Sequence, residues 1–246
     1  MASHVQAAAA SIWLNVWERA AGQPPAARAD ELLRPILAAN ESAPATLGAR
    51  DALLLELRGA LFGPDLACTT SCPQCGERCE WECSLAAMRA PSAPAVCVTA
   101  LDVRDGPWHA QLRRITAGDL AAVADCGDEA CAVRGLLERC VLAVTRHGET
   151  AHVSALPESM IAAISAALAG ADPQAANAIA LSCPACAHRF DAAFDAGTYL
   201  WSELDAWAQR TLSDVHVLAS RYGWNEAEIL ALSGARRARY LALVAA

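Results

Sequence analysis

The fold is decided by two short segments of one pattern, Cys72-Pro73-Gln74-Cys75-Gly76 and Cys183-Pro184-Ala185-Cys186-Ala187. Two residues between the cysteines let the chain turn tightly enough for both sulfurs to reach one metal ion at about 2.3 Å. Proline presets that turn, and Gly76 can adopt the positive φ needed after the second cysteine. Each segment, here called a knuckle, supplies two thiolates, whereas a closed structural Zn²⁺ site needs four. The sequence therefore predicts one shared Zn²⁺ site with Cys72, Cys75, Cys183 and Cys186 as ligands.

The distance between the knuckles along the chain predicts a discontinuous zinc ribbon. Over a hundred residues separate them, against roughly 15–20 in a compact ribbon. A long insertion is acceptable because the cost of closing a loop grows slowly with its length. Strand-like runs follow both knuckles, at 77–85 and 188–194. We predict five regions: an N-terminal helical region (1–67), the first ribbon half (68–90), a mixed α/β insertion (91–176), the second ribbon half (177–196) and a C-terminal helical region (197–246).

Outside the knuckles, apolar spacing mostly favours helices. A first helix ends at Gly22, and later ones are predicted at 29–40, 51–61, 116–124, 130–144, 157–169, 198–222, 226–232 and 234–244. Runs at 96–101 and 108–112 have strand composition with a turn between them, which predicts a hairpin. The predicted fold class is therefore α+β, mostly helical, with a Cys₄ ribbon interrupted by a mixed insertion.

The other cysteines give weaker signals. Cys68, Cys79 and Cys83 are close enough in sequence to compete for the metal. If 79–85 is a strand, Cys79 and Cys83 share one face, so core packing is the better interpretation for them, and Cys68 stays open. His188 could replace a ligand, although four cysteines already complete the shell. The remaining cysteines lack partner spacing and are predicted to be buried small apolar side chains: Cys97, Cys126, Cys131 and Cys140.

Composition limits the function classes. Hydrophobic residues make up 55% and charged residues 19% of the chain, which excludes a disordered protein. The formal net charge of −8 argues against non-specific binding of phosphate backbones. No uncharged apolar run reaches the ~20 residues of a membrane span, and the N-terminus lacks the basic start of a signal peptide. We predict a cytoplasmic protein without membrane contact, in which cysteine pairs indicate metal or redox chemistry rather than disulfides.

No catalytic constellation is found in the sequence. The chain contains no His-Glu-x-x-His, Gly-x-Ser-x-Gly, P-loop or Gly-x-Gly-x-x-Gly motif. Four thiolates would leave no open position on a zinc ion, which favours a structural over a catalytic metal. We therefore predict no enzymatic activity, no catalytic residues and no cofactor besides Zn²⁺. The alternative of a thiol oxidoreductase would need a Cys-x-x-Cys that opens a helix, whereas both knuckles precede strand-like runs.

The C-terminal region is rich in large side chains. Leu200, Leu204, Trp207 and Leu212 lie near one helical face, which indicates packing against a core. Tyr, Trp and Arg are favoured at binding surfaces. The helices from residue 197 onward, with an arginine cluster at 236–239, are therefore our predicted partner interface.

The motif order as a whole resembles the T4-type baseplate-related proteins encoded with contractile phage tails and tail-like injection systems. The resemblance covers nearly the whole chain and is carried, besides the two knuckles, by Trp17-Glu18-Arg19, Arg50-Asp51-Ala52-Leu53-Leu54, Leu61-Phe62-Gly63, His216, Tyr222-Gly223-Trp224-Asn225-Glu226-Ala227-Glu228-Ile229-Leu230 and Arg236-Arg237-Ala238-Arg239-Tyr240-Leu241. It departs at Ala187, where a second glycine is expected, and in the additional Cys68, Cys79 and Cys83.

The resemblance implies a non-enzymatic structural component or assembly factor of the baseplate or its hub. Its partners would be baseplate or hub proteins, and the two cysteine pairs would be the metal ligands. The alternative from another class is a zinc-ribbon regulator that binds nucleic acid. That class needs a basic ribbon, whereas the ribbon here carries five acidic residues (Glu77, Glu80, Glu82, Asp191 and Asp195) and two basic ones (Arg78 and Arg189).

Overall fold

A computed structural model of the 246-residue chain describes residues 10–37, 46–89, 100–175 and 177–245. The chain divides into two compact units. One comprises Met1–Asn40, Glu56–Gly63 and Ala196–Ala246, and the other Glu41–Leu55 and Pro64–Asp195. Of the described residues, 57% are helical and 19% lie in strands of small sheets, which confirms the α+β, mostly helical fold class. The predicted five-region division stays a prediction.

The first unit is built from helices. They are α1 (Ala10–Ala21), α2 (Pro25–Leu33), the second half of α3 (Leu47–Phe62), α8 (Ala196–Tyr222), α9 (Glu226–Leu230) and α10 (Gly234–Ala245). The 27-residue helix α8 buries a stripe with three- and four-residue spacing, formed by Leu200, Leu204, Ala208, Thr211, Val215 and Leu218, so it packs on the core of this unit. Asn225 begins α9 with a capping box to Glu228.

Arg58 fastens the second half of α3 to α8. Its guanidinium donates two hydrogen bonds, of 2.8 and 2.7 Å, to the carboxylate of Glu203. A third, of 2.7 Å, goes to the carbonyl oxygen of Gly63. Arg58 is only 4% exposed, so these bonds compensate the charge for the loss of water.

The described residues of the second unit form three small antiparallel sheets. Their strands are β1 (Asp65–Ser71), β2 (Arg78–Ser84), β3 (Leu101–Asp105), β4 (Trp108–Leu112), β5 (Val141–Arg146), β6 (Glu149–Thr150), β7 (Ala178–Ser182) and β8 (Arg189–Ala193). The pairs β1-β2 and β7-β8 are separate hairpins, and the third sheet has the order β3-β4-β5-β6. A short helix α4 (Leu85–Met88) follows β2.

The four-stranded sheet has its own core. Helix α7 (Glu158–Ala171) packs Met160 and Ile164 against sheet residues Ala110, Leu112 and Val144. Helices α5 (Ala117–Val123) and α6 (Glu129–Cys140) lie between β4 and β5 in the chain. The side-chain amide of Gln174 donates a 3.0 Å hydrogen bond to the carbonyl oxygen of Met88. That bond joins the chain segments that enter and leave this part of the unit.

Several predicted elements differ from the structure. The predicted helix 130–144 ends at Cys140, because the β-branched residues from Val141 onward pair with β4 as β5. The helix predicted at 29–40 is α2, which begins earlier because Pro25 suits the first helical turn, and which already ends at Leu33. Turns follow up to residue 37, and residues 38–40 lie outside the described part of the chain. The predicted hairpin exists with its turn at Gly106-Pro107, but its first strand is β3. Residues 96–99 of the predicted first strand lie outside the described residues.

Candidate metal centre

Each knuckle forms the turn of a two-stranded hairpin. Strands β1 and β2 pair with Ser71 opposite Arg78, and β7 and β8 pair with Ser182 opposite Arg189. The first cysteine of each knuckle directly follows the first strand. The match between the knuckles therefore extends to Ser-Cys-Pro-x-Cys-small-x-Arg at 71–78 and 182–189. This longer repeat, visible in the sequence, could have predicted β1 and β7, which our sequence analysis missed.

The two turns use the same backbone hydrogen bonds. The amide of Cys72 donates to the carbonyl oxygen of Glu77 at 2.8 Å, and the amide of Gly76 donates to that of Cys72 at 2.9 Å. In the second knuckle the amide of Cys183 donates to the carbonyl oxygen of His188 at 2.9 Å, and the amide of Ala187 donates to the carbonyl oxygen of Cys183 at 3.0 Å. Because backbone groups fix both turns, the position of each first cysteine does not depend on its side chain.

The residue after each second cysteine has a left-handed backbone. Gly76 has φ of +76° and Ala187 has φ of +58°. Glycine adopts this conformation without a steric cost, whereas an L-residue with a Cβ does not. Ala187, the departure from the expected second glycine, therefore holds the same turn under strain.

The structure brings all four predicted ligands together. The sulfurs of Cys72, Cys75, Cys183 and Cys186 all lie within 4.8 Å of one another. The Cys72–Cys186 sulfur distance is 3.7 Å and the Cys75–Cys183 distance is 3.6 Å, close to the ~3.8 Å edge of a tetrahedron with 2.3 Å metal–sulfur bonds. Cys72 and Cys183 are buried, while Cys75 and Cys186 are exposed. These four cysteines could hold a metal ion.

The thiols of Cys183 and Cys75 have pKa values shifted in opposite directions. The backbone amide of Cys186, assisted by that of Ala185, lowers the pKa of the Cys183 thiol to about 6. The amide of Glu77 acts in the same direction on Cys75, but the surrounding thiols, with Cys186 first, and desolvation together raise the pKa of Cys75 to about 12. The cluster thus favours the Cys183 thiolate, while the neighbouring thiols oppose ionisation of Cys75, as expected for groups of like charge held close together.

Within the described residues, the competing residues do not belong to the group of four converging sulfurs. Cys79 is buried against Cys72, Cys183 and Phe190, and burial raises the pKa of its thiol. On the same strand Cys83 is half-buried, and Cys68 is buried on β1, opposite Trp81. The ring of His188 stacks on Phe190 at 6.0 Å. The core interpretation of Cys79 agrees with this packing.

The prediction for the other cysteines was wrong in part. Cys140 is buried as expected, but Cys131 is exposed and Cys126 is only half-buried. Both lie at the corner between α5 and α6, where Asp128 caps α6, so Cys131 sits in an exposed first turn instead of a core stripe. Cys97 lies outside the described residues.

The predicted partner region is partly core. Leu200 and Leu204 are fully buried, as predicted, but Leu212 is 37% exposed, because Ala208 and Thr211 occupy the buried stripe of α8 instead. The rings of Tyr222, Trp224 and Tyr240 form a cluster with centroid separations of 4.8 to 5.7 Å. Tyr222 remains 38% exposed.

Comparison with known proteins adds no assignment: no protein-family model, curated protein or solved structure matches the chain. Within the described residues, every helix is too short or too polar to cross a bilayer.

Proposed function

We propose that this protein is a non-enzymatic structural or assembly component of the baseplate or hub of a contractile phage-tail-like particle, stabilised by one structural Zn²⁺. The observation that carries the metal part is the convergence of Cys72, Cys75, Cys183 and Cys186 from knuckles 108 to 114 residues apart in sequence. The motif order along the chain supports the baseplate part. On this proposal the particle assembles in the cytoplasm.

The chemistry of the donor set supports zinc. Four thiolates at tetrahedral separations suit Zn²⁺ or iron, and hard cations such as Mg²⁺ prefer oxygen ligands. A zinc ion held by all four sulfurs has no open position for water or substrate, so its contribution is to folding. Within this chain, the backbone hydrogen bonds of the two turns already aim the sulfurs at a common point.

The C-terminal helices support a protein partner. The rings of Tyr222, Trp224 and Tyr240 form a cluster, and the helix that carries Tyr240, α10, also carries two exposed arginines, Arg236 and Arg239. Aromatic and arginine side chains carry much of the binding energy at protein interfaces. We therefore place the contact with baseplate or hub proteins on this surface.

Metal content tests the site. Purified wild-type protein should contain one zinc per chain by elemental mass spectrometry, with iron measured in parallel. Cys72→Ser and Cys183→Ser should each lose it, because each removes a ligand from the same ion. Cys140→Ser is the control: Cys140 is buried on α6, outside the cluster, and this variant should keep its zinc. Loss of zinc in only one of the two knuckle variants would show that the knuckles do not share an ion.

Deletion and co-purification test the biological role. Deleting the gene should leave tail-like particles incomplete when viewed by electron microscopy, and the tagged protein should co-purify with baseplate or hub proteins. Arg236→Glu with Arg239→Glu should abolish co-purification without changing zinc content, while Arg210→Glu, an exposed charge on α8, should not. Normal particles in the deletion strain would refute the role. A salt-dependent shift of duplex DNA would support a regulator instead.

A further inference from the structure

A second pair of cysteines lies close together outside the metal centre. The sulfurs of Cys126 and Cys131 are 2.9 Å apart, closer than the 3.6 and 3.7 Å given above for the metal cluster. Cys131 is exposed and Cys126 is half-buried, so a small molecule in solution can reach the pair. Neither residue has a part in the proposed function.

Local capping holds both cysteines in place. The amide of Cys126 donates to the carbonyl oxygen of Val123 at 3.1 Å, just beyond the end of α5. The carboxylate of Asp128 caps α6 by accepting a 2.7 Å hydrogen bond from the amide of Cys131. Both contacts use backbone amides, so replacing either thiol leaves them intact. The pair is therefore preorganised by the corner between the two helices.

The geometry suits a disulfide better than a metal. A disulfide bond is about 2.05 Å long, so the two sulfurs need to approach by less than about 1 Å. A closed metal site requires further ligands. Across the described part of the chain, the only group of three or more His, Cys, Asp or Glu side chains placed to hold an ion is the knuckle cluster.

The surroundings of the pair are acidic. Asp125, Asp128 and Glu129 are all exposed at the same corner. The Cys131 thiol, followed by burial and then by the charges of Asp128 and Asp125, raises the pKa of Cys126. Cys131 is the exposed member of the pair and Cys126 the half-buried one, so Cys131 is placed to meet a reagent first and Cys126 to carry out the second, resolving step. The acidic corner should attract a cationic reagent and repel an anionic one.

We propose that Cys126 and Cys131 form a thiol–disulfide exchange site for small, positively charged disulfides. The Cys131 thiolate attacks one sulfur of the small disulfide, which forms a mixed disulfide and releases one small thiol. Cys126 then loses its proton and attacks the Cys131 sulfur, which forms the Cys126–Cys131 bond and releases the second small thiol. The protein pair loses two electrons and two protons, and the small disulfide is reduced to two thiols.

Peptide mapping of the full-length protein tests this site. The chain has no lysine, so trypsin cuts only after arginine, and the peptide 115–134 contains Cys126 and Cys131 and no other cysteine. After treatment of the folded protein with cystamine, a cationic disulfide, this peptide should lose the mass of two hydrogen atoms and regain it with a thiol reductant. The peptide 140–146, which contains the buried Cys140, should stay unmodified and serves as the internal control.

Variants separate the two steps. Cys126→Ser should accumulate a stable mixed disulfide on Cys131. Cys131→Ser should react with cystamine more slowly than both the wild-type protein and Cys126→Ser. The ratio of the Cys126–Cys131 disulfide to the mixed disulfide should be at least about tenfold higher in the folded protein than in the urea-unfolded chain, because the fold holds the two thiols together. Cystamine should react faster than oxidised glutathione, which is anionic.

Three results would overturn the proposal. One is a stable mixed disulfide on the wild-type peptide without ring closure. Another is equal ring closure in the folded protein and the urea-unfolded chain, which would mean that the corner contributes nothing. A faster reaction with oxidised glutathione than with cystamine would overturn the assignment of a cationic substrate.

Discussion

Replacing Gly76 by alanine isolates the cost of the knuckle turn. Gly76 directly follows the second cysteine of the first knuckle and has φ of +76°. A Cβ added there meets no atom within 4 Å, so the substitution introduces no clash. Its effect must come from the backbone conformation alone, because an L-residue is strained in the left-handed region.

The expected magnitude follows from two opposing contributions. The left-handed conformation costs an L-residue roughly 1–2 kcal/mol, while alanine restricts the unfolded chain and recovers about 0.4–1 kcal/mol. Gly76→Ala should therefore destabilise the knuckle by about 1 kcal/mol, or about fivefold in its opening equilibrium. Ala187→Gly should have the opposite effect, because Ala187 holds φ of +58° with an exposed side chain.

Hydrogen exchange of the knuckle amides measures this effect locally. The amide of residue 76 is bonded to the carbonyl oxygen of Cys72, and that of residue 187 to Cys183, so their exchange rates report the opening of each turn. The amide of residue 76 should exchange about fivefold faster in Gly76→Ala, and that of residue 187 correspondingly slower in Ala187→Gly. Gly127→Ala is the control, since φ is not positive there and its Cβ also meets nothing.

Two outcomes would refute this explanation. If Gly76→Ala leaves exchange unchanged, the turn does not require a left-handed residue. If Gly127→Ala accelerates exchange in the knuckles equally, the effect is not local to the turn. The double variant, which moves the glycine from one knuckle to the other, should return to near wild-type total stability.

Three further predictions concern the second unit. Asp119 is 2% exposed and accepts hydrogen bonds from Arg113 and Arg139. Asp119→Ala should therefore lower the free energy of unfolding, measured in urea, by roughly 2–4 kcal/mol, which is less than for a fully buried ion pair because both arginines reach water. A loss below about 0.5 kcal/mol would contradict this. Arg113 holds the pKa of Asp119 far below its usual range. This stabilisation is present above the unfolded pKa near 4 and is lost as pH falls towards the folded pKa, so the difference between wild type and Asp119→Ala should shrink below about pH 4; a constant difference from pH 7 to 3 would refute it. The carboxylate of Asp172 accepts a hydrogen bond from the amide of Gly48, and a Cβ added at Gly48 would collide with it. Gly48→Ala should therefore lower the free energy of unfolding by about 1–3 kcal/mol. An unchanged melting temperature would contradict this close contact.

The four-cysteine cluster could be predicted from sequence because the geometry of each knuckle is local. In each knuckle the Cys-Pro-x-Cys spacing, the proline and the small residue after it determine the turn within a few residues. The convergence of two such turns follows from counting ligands, since each supplies only half of a closed shell. The left-handed backbone at Ala187 was foreseen only as a departure from glycine, because a sequence does not show which residues carry strain.

The first strands of both hairpins were missed for a physical reason. Strand β1 alternates exposed and buried residues, but its sequence contains Thr, Ser and Asp rather than a β-branched apolar run. Its conformation depends on pairing with β2, which a window over β1 alone does not show. Only the longer repeat at 71–78 and 182–189 indicates a hairpin there. The misplaced end of the helix predicted at 130–144 has the same origin, since β5 exists because β4 is beside it. The exposure of Cys131 had a local signal, namely Asp128 as an N-cap three residues before it.

The contribution of the proposed zinc depends on what is already folded when it binds. A cross-link between Cys75 and Cys183 closes a loop of 108 residues; by analogy with a disulfide, that would restrict an otherwise unfolded chain by about 4–5 kcal/mol. The inserted sheet and α7 have their own core, and Gln174 ties the ends of the insertion together at Met88. If this core forms first, most of the loop is already closed, and the ion then mainly orders the two knuckles. The cysteine spacing along the chain therefore gives an upper bound on the entropic part of the stabilisation, and the independent core of the insertion reduces it.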